Sequence, residues 1–258
     1  MFKKINFFYK VCKKINSFFE ILLLIIKYKS LIKNKDCFVL GSAPLTKIKN
    51  FKKNMILICI HGSPLTAKLL LKKEPDFTVV DTGLIDFNNK QVGSRKYIIK
   101  KKILKGKNLG HLISVTSNQS STQAKPEVLQ AKTKSFFYLS KYSRSFIVKK
   151  ACKNNLLEKN NTALVSTGIF GIAFAFFLGA NKVYFNGMSL IRNNKLTYFY
   201  KKSKNKKRII DFNSRYISNS HSLADLAFIV SAKINNLHIE TDEPHYQIVM
   251  DNWGEKKI

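Results

Sequence analysis

Three short, predominantly apolar runs constrain this chain most: Asp36–Leu40, Met55–Ile60 and Phe77–Val80. Strands buried on both faces of a parallel sheet read as continuous apolar runs, whereas half-exposed strands alternate. Each run stops on small or polar residues: Gly41-Ser42-Ala43-Pro44, His61-Gly62-Ser63-Pro64 and Asp81-Thr82. The second turn leads into Thr66–Leu71, and Pro64 suits the first turn of a helix there. Strand, turn, helix and strand in this rhythm predict βαβ units.

The most regular unit comes later. Ala163–Val165 runs into Ser166-Thr167-Gly168, then into Ile169–Leu178, apolar on every face and therefore read as a buried helix. Gly179 ends that helix, and the next strand, Lys182–Phe185, closes on Asn186-Gly187. Residues 97–104 are expected to add a strand and 114–125 to form a loop. The basic stretch 192–215 reads as solvated and mobile, a lid at about 190–220. A helix fits 222–233, and a last strand lies near Leu237–Ile239, ahead of Pro244. The expected fold is α/β: a Rossmann-like parallel sheet with helices on both faces, forming one nucleotide-binding domain over residues 36–258.

A chain of 258 residues has room for one such core, and 45% apolar residues exclude wholesale disorder. The formal charge of +31 is carried almost entirely by lysine; the arginines are Arg95, Arg144, Arg192, Arg208 and Arg215. Specific nucleic-acid readers lean on arginine's planar fork, so the excess points to anionic membranes or substrates and not to nucleic acid. The cysteines, at 12, 37, 59 and 152, match no zinc or redox spacing and fit a reducing compartment.

Residues 1–35 place Phe7, Phe8, Val11, Ile15, Phe18, Phe19 and Leu22 at helical spacing, with Lys3, Lys4, Lys10, Lys13 and Lys14 largely between them. The longest uncharged apolar run there, Ile21–Ile26, is far short of the ~20 residues a spanning helix needs. The pattern predicts a basic amphipathic helix on an anionic membrane surface, or else one packed on the protein's own core. The first reading places the protein in the cytoplasm, peripheral at the inner face of the cytoplasmic membrane.

In an open parallel sheet, ligands bind beyond the carboxyl ends of the strands. Gly41-Ser42-Ala43, His61-Gly62-Ser63, Asp81-Thr82, Ser166-Thr167-Gly168 and Gly187-Met188-Ser189 fall there. Each is singly a turn or capping motif; five in succession predict a nucleotide cleft, with a helix N-terminus at Ser166 that favours phosphate. No G-x-G-x-x-G follows the first strand, and no Walker motif or D-x-D is present. Asp81 reads as the lone carboxylate at a strand end. A monophosphate-linked donor needs no metal clamp.

Four stretches, FVLGSAPL, VSTGIFGIAFAFFLGANKVYFNGMSL, TYFY and HSLADLA, resemble in order and spacing the bacterial lipo-oligosaccharide sialyltransferases of glycosyltransferase family 42. The resemblance covers roughly residues 36–242. It implies a GT-A-like variant of the fold, a CMP-sialic acid or related CMP-sugar donor, a lipid-borne glycan acceptor and no cofactor or metal. It also admits a homo-oligomer.

Under that resemblance Ser42 stands where the family has a nucleotide-contacting asparagine, and His61 and Asp81 where it has asparagines on the second and third strands. Ser166-Thr167-Gly168 matches the motif that holds the cytidine and the carboxylate end of the donor. Gly187-Met188-Ser189 replaces a ribose-contacting G-x-D, so Ser189 lacks the carboxylate. Ile191 holds one of two lid-tyrosine positions, and Tyr198 or Tyr200 supplies the other. His221-Ser222, with Asp225 one turn later, matches the segment of the catalytic base.

From the residues alone, His221 also reads as a helix-entry residue, with Ser220 or Ser222 capping the helix, and His61 either as a ligand contact or as a satisfied turn residue. Two rival functions fit the same fold. A pyrophosphokinase-like enzyme would want carboxylates for magnesium; a non-catalytic binding protein would not.

Overall fold

The computed structural model describes residues 2–43, 45, 47–85, 95–116, 125–152, 165–188, 221–243 and 246; for 2–11, 13, 95–97, 221–223 and 226 it describes the backbone alone. Helix α1 (Phe2–Ile32) leads into β1 (Asp36–Leu40). Next come β2 (Ile56–Ile60), a helix that starts as α2 (Ser63–Thr66) and widens to a π-helical turn (Ala67–Leu71), and β3 (Phe77–Asp81). Helix α3 (Arg95–Leu104), β4 (His111–Val115), β5 (Ser135–Leu139) and α4 (Lys141–Cys152) follow. The last group is α5 (Thr167–Phe177), β6 (Lys182–Asn186), α6 (His221–Ile234) and β7 (Ile239–Thr241).

The seven strands form one sheet in the order β5-β4-β3-β2-β1-β6-β7, every pair parallel. From β1 the chain builds outward to β5, then returns to lay β6 on β1's other side. The order therefore reverses between β1 and β6, which is the switch point of a doubly wound sheet.

The continuous apolar runs follow from burial on both faces. Cys37, Val39, Ile58 and Ile60 point into a cluster shared with α1, α4, α5 and α6. Their neighbours Phe38, Leu40, Leu57 and Cys59 point the other way, against Ala67 and Leu71. Farther along that second face, Val80 and Leu112 pack with Leu104 of α3.

Three expectations change. Residues 97–104 form helix, not strand: Lys100 and Leu104, four apart, are the buried positions and Ile98 is exposed, a helical period. Ser114 and Val115, expected to begin a loop, complete β4; Ser114 is buried and its hydroxyl meets Thr82 Oγ1 at 3.0 Å. The final strand is also displaced, starting at Ile239 and not at Leu237.

Helix α1 packs its second half on the domain. Ser17, Ile21, Leu24, Tyr28 and Ile32 are buried along one stripe. The four large side chains there represent roughly 8 kcal/mol of gross transfer free energy, an upper bound. Among the described residues no helix is long and apolar enough to cross a membrane.

Candidate functional site

The tips of β1 and β6 touch at the switch point. Gly41 N–H donates to Asn186 O at 2.7 Å and Ala43 N–H to Gly187 O at 2.9 Å. A Cβ on Gly41 would stand 2.1 Å from Gly187 O, so only glycine permits this approach. Gly187 itself has φ +75°, a conformation that glycine adopts without a Cβ clash.

Helix α5 opens onto the same place. Ser166 caps it, its Oγ accepting from Ile169 N–H at 3.3 Å. Gly168 lies against Met188, whose Sδ would be 2.4 Å from an added Cβ. Thr167 and Gly168 occupy the first helical turn, where backbone N–H groups lack intrahelical acceptors. Three of the expected ligand turns, 41–43, 166–168 and 187–188, thus meet at the switch point, where doubly wound sheets have their ligand crevice, with the Met188 side chain packed between Gly41 and Gly168.

The His61 turn is fastened to it. Ser63 Oγ accepts from Ile60 N–H and donates to Leu40 O, both at 2.7 Å, so the end of β2 is tied to the end of β1. His61 is half-buried and left-handed, with φ +53°. Such a conformation is uncommon for a non-glycine residue and costs on the order of 1 kcal/mol. Asp81 stands two strands from β1, roughly 10 Å away. There its carboxylate caps the Thr82–Leu84 turn, accepting from Gly83 N–H at 2.9 Å.

Helix α6 reaches the crevice through Asp225. This buried carboxylate accepts from Ser166 N–H at 2.6 Å. The backbone of His221 begins α6, one turn before Asp225, or about 6 Å of helix rise. Ser189, Ile191, Tyr198 and Tyr200 lie outside the described residues.

Three charged groups that the sequence reading did not single out complete the site. Arg144 on α4, only 1% exposed, donates to Val165 O and Thr116 O at 2.5 and 3.4 Å, and its guanidinium sits 5.6 Å from the Phe170 ring centre. Val165 O and Ser166 N–H belong to one peptide group, so Arg144 and Asp225 hold it from its two sides. Glu243 Oε1 accepts from Gly187 N–H and Met188 N–H at 2.5 and 3.2 Å. Asp242, next to it, accepts from Asn50 and Asn186 side-chain amides, each at 3.1 Å.

Asp81 is accordingly not the lone strand-end carboxylate: Asp242 and Glu243 follow β7 directly. The signal that could have found them is Thr241-Asp242-Glu243 after a short apolar run and before Pro244. Reading the strand as ending at Ile239 hid it.

No family model matches the chain, and no curated protein matches it. Solved structures similar to it are sialyltransferases. One is the monofunctional α-2,3-sialyltransferase Cst-I of Campylobacter jejuni, 14% identical over 83% of this chain and 78% of that one, TM-score 0.49. Another is CstII of Campylobacter jejuni in complex with the substrate analogue cytidine-5′-monophosphate, 16% identical over 82% and 81%, TM-score 0.45. A third is the sialyltransferase Cst-II with trisaccharide acceptor and CMP, 14% identical over 87% and 89%, TM-score 0.47.

Proposed function

We propose that this chain is a glycosyltransferase, moving sialic acid or a related keto sugar from a CMP-activated donor to a glycan acceptor of the lipo-oligosaccharide or capsule kind. The observation that carries the reading is the Asp225–Ser166 bond. It holds the start of α6, where His221 stands, against the crevice formed by Gly41, Gly168 and Gly187.

In this mechanism the CMP moiety lies over the switch point, with phosphate near the N-terminus of α5. His221 takes the proton from an acceptor hydroxyl as that oxygen attacks the anomeric carbon. The bond between the anomeric carbon and the phosphate oxygen breaks, CMP departs with the electron pair, and the anomeric configuration inverts. Tyr198 or Tyr200 hydrogen-bonds the departing phosphate and takes the part that a metal plays in other transferases. Ser42, Ala43 and His61 line the nucleotide side. Glu243, seated on the Gly187–Met188 turn, offers the ribose a carboxylate that Ser189 lacks.

One observation favours a second reading, a non-catalytic binding protein. Glu243 and Asp225 already take the N–H groups of Gly187, Met188 and Ser166, donors that a phosphate would otherwise use.

A thermal-shift panel of CMP, CDP, UDP, GDP and ATP tests the nucleotide, since a ligand of the native state raises its stability. Stabilisation by the cytidine nucleotides is expected, and a response confined to the others would sink the proposal. His221→Ala should lower transfer by at least about a hundredfold while CMP still binds. Cytidine binding without transfer in the wild type selects the second reading.

A further inference from the structure

Helix α1 carries two apolar stripes, and the domain covers only one. Opposite the buried stripe, Ile15, Phe18, Phe19, Leu22, Leu23 and Ile26 are 42 to 70% exposed. They recur at three- and four-residue spacing over three turns, so they form one band facing away from the core. Single exposed apolar residues are ordinary; a contiguous band of six, two of them phenylalanine, marks a docking surface.

The charges around the band select its partner. Exposed Lys14, Lys27 and Lys29 flank it. The sole acidic residue of the first 35, Glu20, is turned inward: its carboxylate accepts from Ser140 N–H at 2.9 Å and from the Ser143 hydroxyl. The outward face of α1 is thereby stripped of negative charge. Two copies of a chain with net charge +31 repel each other, whereas an anionic bilayer attracts both the band and its lysines.

We propose that the outer face of α1 docks on an anionic lipid bilayer, its band sunk into the headgroup boundary while its inner stripe stays on the domain. The same contacts set the orientation. Ser17 and Glu20 meet Ser140 and Ser143 past the carboxyl end of β5, and Tyr28 OH meets Ser135 Oγ, at the strand's start, at 2.9 Å. Thus α1 runs antiparallel to the edge strand. Its backbone continues from Ser17 to Phe2, roughly 22 Å more, toward the end of the molecule where the crevice opens. On the transferase reading, a lipid-borne acceptor in that bilayer meets the crevice from the β5 side. The docking itself does not depend on that reading.

Co-sedimentation of the full chain with phosphatidylcholine vesicles, with and without phosphatidylglycerol, tests this without donor or acceptor. Binding to the anionic vesicles at physiological salt is expected. The triple variant Phe18→Gln, Leu22→Gln, Ile26→Gln should bind at least about tenfold more weakly with an unchanged unfolding midpoint, because those side chains are already exposed. Phe18→Trp, read against the wild type with its single Trp253, should shift its emission to the blue on anionic vesicles. Three results would overturn the inference: no vesicle binding by the wild type; equal binding by the triple variant, leaving lysines alone responsible; or a dimer that the triple variant abolishes, which assigns the band to a second copy.

Discussion

Arg144 and Asp225 grip one peptide group ahead of α5, and that peptide sets where the helix N-terminus points. Arg144→Met keeps much of the volume but strands two buried carbonyls and removes the charge facing this segment. A loss of about 3 kcal/mol is expected in chemical denaturation. His111 is a different kind of residue. Burial, with Lys134 and Lys27 close by, holds its imidazole below its ordinary value of 6.5, and its Nδ1 is 2.8 Å from Ser135 Oγ. In the unfolded chain it protonates near pH 6.5. Below that pH the unfolded state takes up a proton that the fold resists, so stability falls as pH drops, and the loss levels off below the lower, folded pKa. Thermal midpoints measured downward from pH 7 should show this decline, and His111→Gln should flatten it.

At the scale of elements, the switch point depends on two strand tips in contact. Gly41→Ala would drive a Cβ to 2.1 Å from a backbone oxygen that cannot step aside. Gly168→Ala would meet the Met188 thioether, a flexible side chain that can. Urea unfolding should therefore separate them: about 3 kcal/mol or more lost for Gly41→Ala, and about 1 kcal/mol for Gly168→Ala. Equal losses would mean that the tips of β1 and β6 do not touch in solution. The same scale explains where sequence patterns misled. In α3 the run Ile98-Ile99 and Ile103-Leu104 resembles strand hydrophobicity, but a lysine, Lys100, is 2% exposed and shares the buried face with Leu104. A lysine can bury its stem, so polarity alone misplaces it. Strand β4 contains His111 and Ser114, polar groups whose partners, Ser135 and Thr82, come from other elements.

At the scale of the whole molecule, a sheet covered on both faces leaves cysteine chemistry nearly silent. Burial pushes the Cys37 and Cys59 thiols up to about 12, and Cys152 is buried as well, whereas Cys12 is exposed. A thiol reagent at neutral pH should titrate one group in the native chain and all four after denaturation. A native count of two or more would show the core opening on the timescale of the reaction.

The sequence by itself determined the parallel α/β sheet, because apolar runs buried on two faces and small turn residues at their ends are local signals. Asp36–Leu40, Ile56–Ile60 and the Ser166-capped helix were legible for that reason. It also placed Gly41 and Gly187 at strand ends and Ser166–Gly168 at a helix start, without showing that they meet. Only the tertiary structure brought β6 beside β1, aimed Asp225 at Ser166 and Glu243 at Gly187, and buried Arg144 behind them. Those pairings join residues from about 20 to about 150 positions apart in the chain, and such long-range contacts are set by sheet order, which no local pattern of hydrophobicity or spacing encodes. The two faces of α1 divide the same way: its periodicity announced a helix, and packing alone decided which stripe the core would cover and which it would leave exposed.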